Sequence, residues 1–146
     1  MTLPQHADAG NSRVARKSKI LIADDDKLIA DTLQLLLTRA GLNAVAVYDG
    51  EPAVDMARQW KPDLFLCDVL MPYMNGLQAA IRITALIPKC HVILISGEEL
   101  ADDLMKEARK HGYHFELLHK PLQPRELLRQ VRLRLRTSSP EHLQAS

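Results

Sequence analysis

Cysteine is scarce in this chain. Two stand among 146 residues, Cys67 and Cys90, without the paired spacing of a zinc site or the density of a disulfide scaffold. Both fall at or beside apolar runs and read as small core residues in a reducing compartment. Nor does any apolar run approach the about 18 residues of a membrane span, and Pro4, His6, Asp8 and Asn11 interrupt the first twenty residues, where a secretion signal would need a continuous apolar core. Charge of one sign is lacking too: 19 basic residues face 18 acidic ones, a formal net charge of +1, so the balance calls for neither direct nucleic-acid binding nor an anionic membrane. A soluble, cytoplasmic protein is expected. What is present, 47% hydrophobic and 25% charged residues, suits one ordinary globular core.

The pattern divides the chain into a polar N-terminal tail (1–18), a periodic region (19–136) and a polar C-terminal tail (137–146), with both tails expected to be flexible. Within the periodic region, strands are predicted at 19–23, 43–47, 64–67, 91–95 and 114–118. Helices are predicted at 27–40, 51–60, 76–86, 100–111 and 124–136. In the first helix Leu28, Ile29, Leu33, Leu36 and Ala40 form the apolar stripe, and Gly41 supplies a stop. Pro52 and Pro124 sit where first-turn prolines are tolerated. Five strands alternating with five helices imply an α/β fold, a parallel sheet covered on both faces through right-handed crossovers.

Acids cluster at the strand ends. KILIADDD stops in Asp24, Asp25 and Asp26, and LFLCD stops in Asp68. Like charges about 4 Å apart repel by roughly 4 kcal/mol at an effective dielectric of 20, so such a cluster stays ionised cheaply only around a cation, Mg²⁺ above all. Ligands of open α/β sheets bind beyond the carboxyl ends of the strands, where strand order reverses. If the order is 2-1-3-4-5, Asp24, Asp25 and Asp68 meet there. The fourth strand adds Ser96-Gly97 at its end, and the fifth adds His119-Lys120-Pro121.

These four signatures, ADDD, CDVLMPYMNG, SG and KP, each at a strand end and in this order, resemble the receiver domain of two-component response regulators over about residues 19–136. The resemblance implies a flavodoxin-like, doubly wound five-stranded sheet of order 2-1-3-4-5 and a phosphoacceptor switch rather than an enzyme. Asp68 would accept a phosphoryl group from a histidine kinase or phosphotransfer protein. Asp25 and Asp68 would bind Mg²⁺ (or Mn²⁺) directly, with the Leu70 backbone carbonyl, and Asp24 would assist. Lys120 and Ser96 would hold phosphoryl oxygens, and Pro121 matches the family's cis proline. Gly76, after Asn75, suits a tight turn behind Asp68. Output would pass through the helix 4, strand 5 and helix 5 surface to an unidentified downstream protein, with the chain a monomer or weak homodimer. No effector domain is expected in residues 137–146, so docking, phosphate relay or a domain elsewhere would carry the output.

Departures from the family pattern fall at tuning positions. Leu117 replaces the usual aromatic switch residue, and Phe115, two residues earlier, lies on the same side by alternation and is a candidate substitute. Gly97 leaves room beside the phosphoryl group, while Leu70 and Glu98 sit where the family controls the attacking water. Plainer readings accompany several residues. Asp26 reads as a helix cap. His111, His114 and His119 read as surface or strand histidines rather than a metal site. The arginines of the last helix (125, 129, 132, 134, 136) read as a solvated face, with a docking surface as the alternative.

Three rivals remain. A pseudo-receiver that is never phosphorylated would be expected to lack an acid or the lysine, and all are present. A haloacid-dehalogenase-like phosphatase would use Asp24 in an Asp24-x-Asp26 pattern, but Leu28 stands where that motif expects threonine or valine. A flavodoxin-like carrier would need a phosphate-binding loop where three acids stand.

Overall fold

A computed structural model describes residues 16–97 and 100–136. In chain order the elements are β1 (Lys19–Ala23), α1 (Lys27–Arg39), β2 (Asn43–Val47), α2 (Gly50–Trp60), β3 (Leu64–Asp68), α3 (Gly76–Leu86), β4 (His91–Ser96), α4 (Leu100–Lys110), β5 (Glu116–His119) and α5 (Pro124–Arg136). The strands form one sheet of order β2-β1-β3-β4-β5, and every neighbouring pair is parallel. Residues 1–15, 98–99 and 137–146 lie outside the described residues, so the readings of the C-terminal tail, of Glu98 and of all but the last three residues of the N-terminal tail have no structural counterpart.

Alternation sorts the strand side chains into two cores. Ile20, Ile22, Leu64, Leu66, Ile93 and Ile95 face α1 and α5, where Leu33, Leu37, Leu127 and Val131 cover them. Leu21, Phe65, Cys67, Val92 and Leu94 face the opposite layer of α2, α3 and α4, including Val54, Ile83 and Met105. β3 is buried along its whole length, as an inner parallel strand with both faces covered must be. Both cysteines are buried free thiols. Burial raises the Cys67 thiol well above its usual range and pushes Cys90 up to about 12.

Two sequence expectations change. Leu28 is 76% exposed, and the buried stripe of α1 is Ala30, Leu33 and Leu37 with Ile29 and Leu36 alongside. At about 100° per residue, Leu28 stands roughly 200° round the helix from Ala30, facing solvent. β5 begins at Glu116, not 114. Before it, Gly112 (φ 90°) closes α4 in a Schellman turn, with Tyr113 N–H donating to Ala108 and Gly112 N–H to Arg109. The ladder with β4 starts only at Ile93↔Glu116.

Candidate functional site

Register brings the acids together. Ala23 pairs with Cys67, and Asp68 pairs with Ile95, so the residues ending β1 and β3 emerge side by side at the carboxyl edge of the sheet. One carboxylate oxygen each from Asp24, Asp25 and Asp68 lie within 4.8 Å of one another. Asp24 is buried, Asp68 is 9% exposed and Asp25 opens to solvent. Lys120 Nζ stands 3.4 Å from Asp68 Oδ2, the one cation paired with the cluster among the described residues.

Local hydrogen bonds hold these groups. Asp24 Oδ1 accepts the Asp26 N–H at 2.9 Å, and the Leu70 N–H reaches Asp68 Oδ1 at 3.4 Å. Asp26 caps α1 through the N–H groups of Leu28 and Ile29, as its position before the helix predicts. The Lys120 N–H donates to the Ser96 carbonyl at 2.9 Å, and Ser96, buried, pairs with His119 in the ladder. Thus strands four and five deliver the hydroxyl and the ammonium to the same edge. The Lys120–Pro121 peptide is cis.

Electrostatics shows what the cluster accommodates. Burial raises the Asp24 carboxyl above its ordinary value, the Asp26 N–H opposes this, and the neighbouring Asp68 charge adds to the rise. Burial raises Asp68 as well, with Lys120 and the Leu70 N–H opposing. Three carboxylates against one ammonium leave a deficit of positive charge in a partly desolvated pocket. A compact divalent cation with oxygen preference supplies it, so the donor set fits Mg²⁺.

The loop behind Asp68 holds a feature the sequence reading assigned to the wrong cause. Gly76 does not have positive φ; a Cβ there would lie 2.1 Å from the Asp68 carbonyl oxygen and 3.0 Å from Cys67 Sγ. Close backbone approach, rather than turn conformation, requires glycine. The left-handed residue in this loop is Tyr73 (φ 69°), almost fully exposed. Asn75 and Gln78 form a capping box at the start of α3, a partnership missed from the sequence although Asn-x-x-Gln before an apolar run is its signal.

At the tuning positions, Leu117 packs half-buried against the α2–α4 core. Phe115 shares that face, as alternation predicts, but stacks on Tyr113 before the first ladder residue of β5. It lies two residues before Leu117, about 7 Å at strand rise, and outside the β4–β5 ladder. A Cβ on Gly97 would touch the stem of Lys120 at 3.4 Å, so the room there adjoins the lysine. Of the three histidines, His111 turns to Glu107 and His119 lies 3.9 Å from Asp102, while His114 is exposed.

The response regulator receiver domain model matches residues 20–132. This chain belongs to that family. Receivers are signalling domains rather than classical enzymes, and the pseudo-receiver and phosphatase readings are not favoured. The chain is similar to the DNA-binding response regulator MtrA of Mycolicibacterium paratuberculosis, 28% identical over 127 residues, covering 86% of this chain and 54% of MtrA. It is also similar to the autoinducer 1 sensor kinase/phosphatase LuxN of Vibrio harveyi, 36% identical over 95 residues, covering 64% of this chain and 11% of LuxN. It thus spans about half the length of MtrA and about a tenth of LuxN. A receiver domain structure from Clostridium thermocellum shares the fold, with a TM-score of 0.73 at 24% identity over 81% of this chain and 94% of that one. No helix among the described residues is long and apolar enough to cross a membrane.

Proposed function

We propose that this receiver, folded over residues 19–136, is a cytoplasmic phosphoacceptor switch with Asp68 as the acceptor. The observation that carries the reading is the convergence of Asp24, Asp25 and Asp68 within 4.8 Å, with Lys120 3.4 Å from Asp68. A carboxylate is a competent nucleophile toward phosphorus when its neighbours neutralise the phosphoryl charge. In transfer from a histidine kinase or phosphotransfer protein, the donor's P–N bond breaks, an O–P bond to Asp68 forms, and the released imidazole keeps a proton. Asp25, Asp68 and the Leu70 carbonyl would hold Mg²⁺ (or Mn²⁺), with Asp24 supporting. The bound ion would offset phosphoryl charge. Lys120 and Ser96 would hold phosphoryl oxygens.

The added charge of about −1.5 to −2 at Asp68 draws Ser96 and Lys120 toward it and biases α4, β5 and α5, the surface offered to a downstream protein. Taking the inactive to active ratio from 99:1 to 1:99 requires about 5.5 kcal/mol, within reach of a few charge-assisted hydrogen bonds.

Incubation with Mg²⁺ and acetyl phosphate, followed by intact mass measurement, tests this. A single acid-stable, base-labile phosphoryl group on Asp68, absent from Asp68→Asn, is the expected result. Modification of Asp24 would instead support the phosphatase reading, and failure with every donor the pseudo-receiver.

A further inference from the structure

Residues 47–50, the turn from β2 into α2, touch both segments that carry the acid cluster. On one side the Val47 carbonyl accepts the Asp24 N–H at 3.2 Å. On the other, Gly50 makes room for Met74 of the loop behind Asp68: a Cβ at Gly50 would lie 2.8 Å from Met74 Cβ and 3.0 Å from its Cγ and Sδ. The φ of Gly50 is not positive, so space rather than conformation calls for glycine here. The turn is itself tied to α1, because the Tyr48 hydroxyl donates to Asp31 Oδ1 at 2.6 Å and Lys27 Nζ stands 4.3 Å from the Tyr48 ring centroid.

Met74 is held from a second direction. Arg82 of α3 lies 4.0 Å from its sulfur and pairs with Glu51 of α2 at 2.7 Å. Four residues earlier in the same loop stands Leu70, whose N–H reaches Asp68 at a long 3.4 Å. Tyr73 extends into solvent, whereas Met71 is buried and Met74 packs against the α2–α4 core, so the two methionines fix this stretch of backbone.

We propose that Gly50 is a positioning residue for the metal site, an inference resting on the reading of Asp25, Asp68 and the Leu70 carbonyl as Mg²⁺ ligands. Its bare Cα admits Met74, and Met74 sets where the loop presents that carbonyl. No rotamer of Met74 moves its Cβ, and carbon atoms in contact stand about 3.5–4.0 Å apart, so a methyl group added at Gly50 must displace backbone. The α2 side is anchored by Ala53, Val54 and Ala57, all fully buried, and the loop is what gives way. Mg²⁺ demands near-ideal octahedral geometry, whereas Ca²⁺ accepts irregular sets of oxygens. A displaced carbonyl therefore penalises Mg²⁺ more than Ca²⁺.

Amide-shift titrations of the isotope-labelled full chain with Mg²⁺ and with Ca²⁺ test this. Gly50→Ala should lower Mg²⁺ affinity about tenfold and Ca²⁺ affinity far less. Met74→Ala introduces no overlap but leaves the loop loosely held. It should shift the Mg²⁺ to Ca²⁺ affinity ratio in the same direction, and it decides the matter if Gly50→Ala does not fold. Val131→Ala, a cavity in the opposite core, should lower stability in EDTA without changing the ratio. Equal losses for both ions, native Mg²⁺ affinity in either folded variant, or a ratio moved as far by Val131→Ala overturns the positioning role alone. Absence of Mg²⁺-induced shifts around Asp68 in the native chain overturns the metal reading with it.

Discussion

At Gly76 one added methyl group decides whether the loop behind Asp68 can close. A Cβ there would sit 2.1 Å from the Asp68 carbonyl oxygen, a backbone atom held in β3 that has little freedom to move. Overpacking costs typically 1–3 kcal/mol, and backbone overlap belongs at the upper end, so Gly76→Ala should destabilise the fold by about 3 kcal/mol. A shift in the urea midpoint equivalent to less than about 1 kcal/mol would contradict the close approach. Asp24 makes the opposite case, a residue whose native charge costs stability in the ion-free protein. Its carboxyl titrates above the ordinary range, chiefly because it is buried. The folded state therefore holds more protons than the unfolded state between the unfolded value and the raised one. Stability falls as pH rises through that window and stays at the lower level at neutral pH. Asp24→Asn keeps an oxygen for the Asp26 N–H and removes the charge. In EDTA it should exceed the native chain in stability at pH 7, and the two should converge as the pH drops below the carboxyl range. Equal stability across the series would show that burial of Asp24 costs nothing.

Among the elements, α3 has the most defined start. Asn75 accepts the Gln78 N–H at 2.8 Å while Gln78 accepts the Asn75 N–H at 2.9 Å. Asn75→Ala removes the N-cap and should cost about 1 kcal/mol in urea unfolding, with Gln78→Ala costing less because the cap itself survives. The reverse order would mean that the reciprocal bond matters more than the cap. The bounds of α3 are also those read from the sequence, since cap and apolar periodicity agree there. Asp24, Asp25, Asp68, Ser96 and Lys120 were legible for a different reason: each stands at or just after the end of a predicted strand, and the resemblance to receivers, with the fold class, places such ends on one edge. Register, however, is a relation between strands that no single run encodes. His114 and Phe115 alternate as a strand would, yet the turn closing α4 places them before the first partner on β4. For the same reason Phe115 could be assigned to the correct face but not to the correct depth. Leu28 failed differently: position in an apolar list says nothing of angle round the helix.

Across the whole molecule, two cores fasten five helices to one sheet, and the acid cluster lies where β1 and β3 leave both. The ends of β1 and β3 are fixed in the folded chain and scattered in the unfolded one, so an ion requiring both binds the native state selectively. Such a ligand stabilises the fold by RT ln(1 + [L]/Kd), about 2.7 kcal/mol at a hundredfold excess over Kd. Thermal midpoints of the native protein should therefore climb with Mg²⁺ concentration. Asp25 is the suitable residue to remove, because it is exposed and makes no hydrogen bond or ion pair among the described residues. Its loss leaves the packing intact and takes away one ligand, so Asp25→Ala should fold normally in EDTA and gain little stability from Mg²⁺. An equal climb in the variant would place the ion elsewhere, and no climb in the native chain would mean that the cluster holds no divalent cation. A climb confined to the native chain would tie metal affinity to folding through Asp25, because only the assembled sheet brings that carboxylate to Asp68.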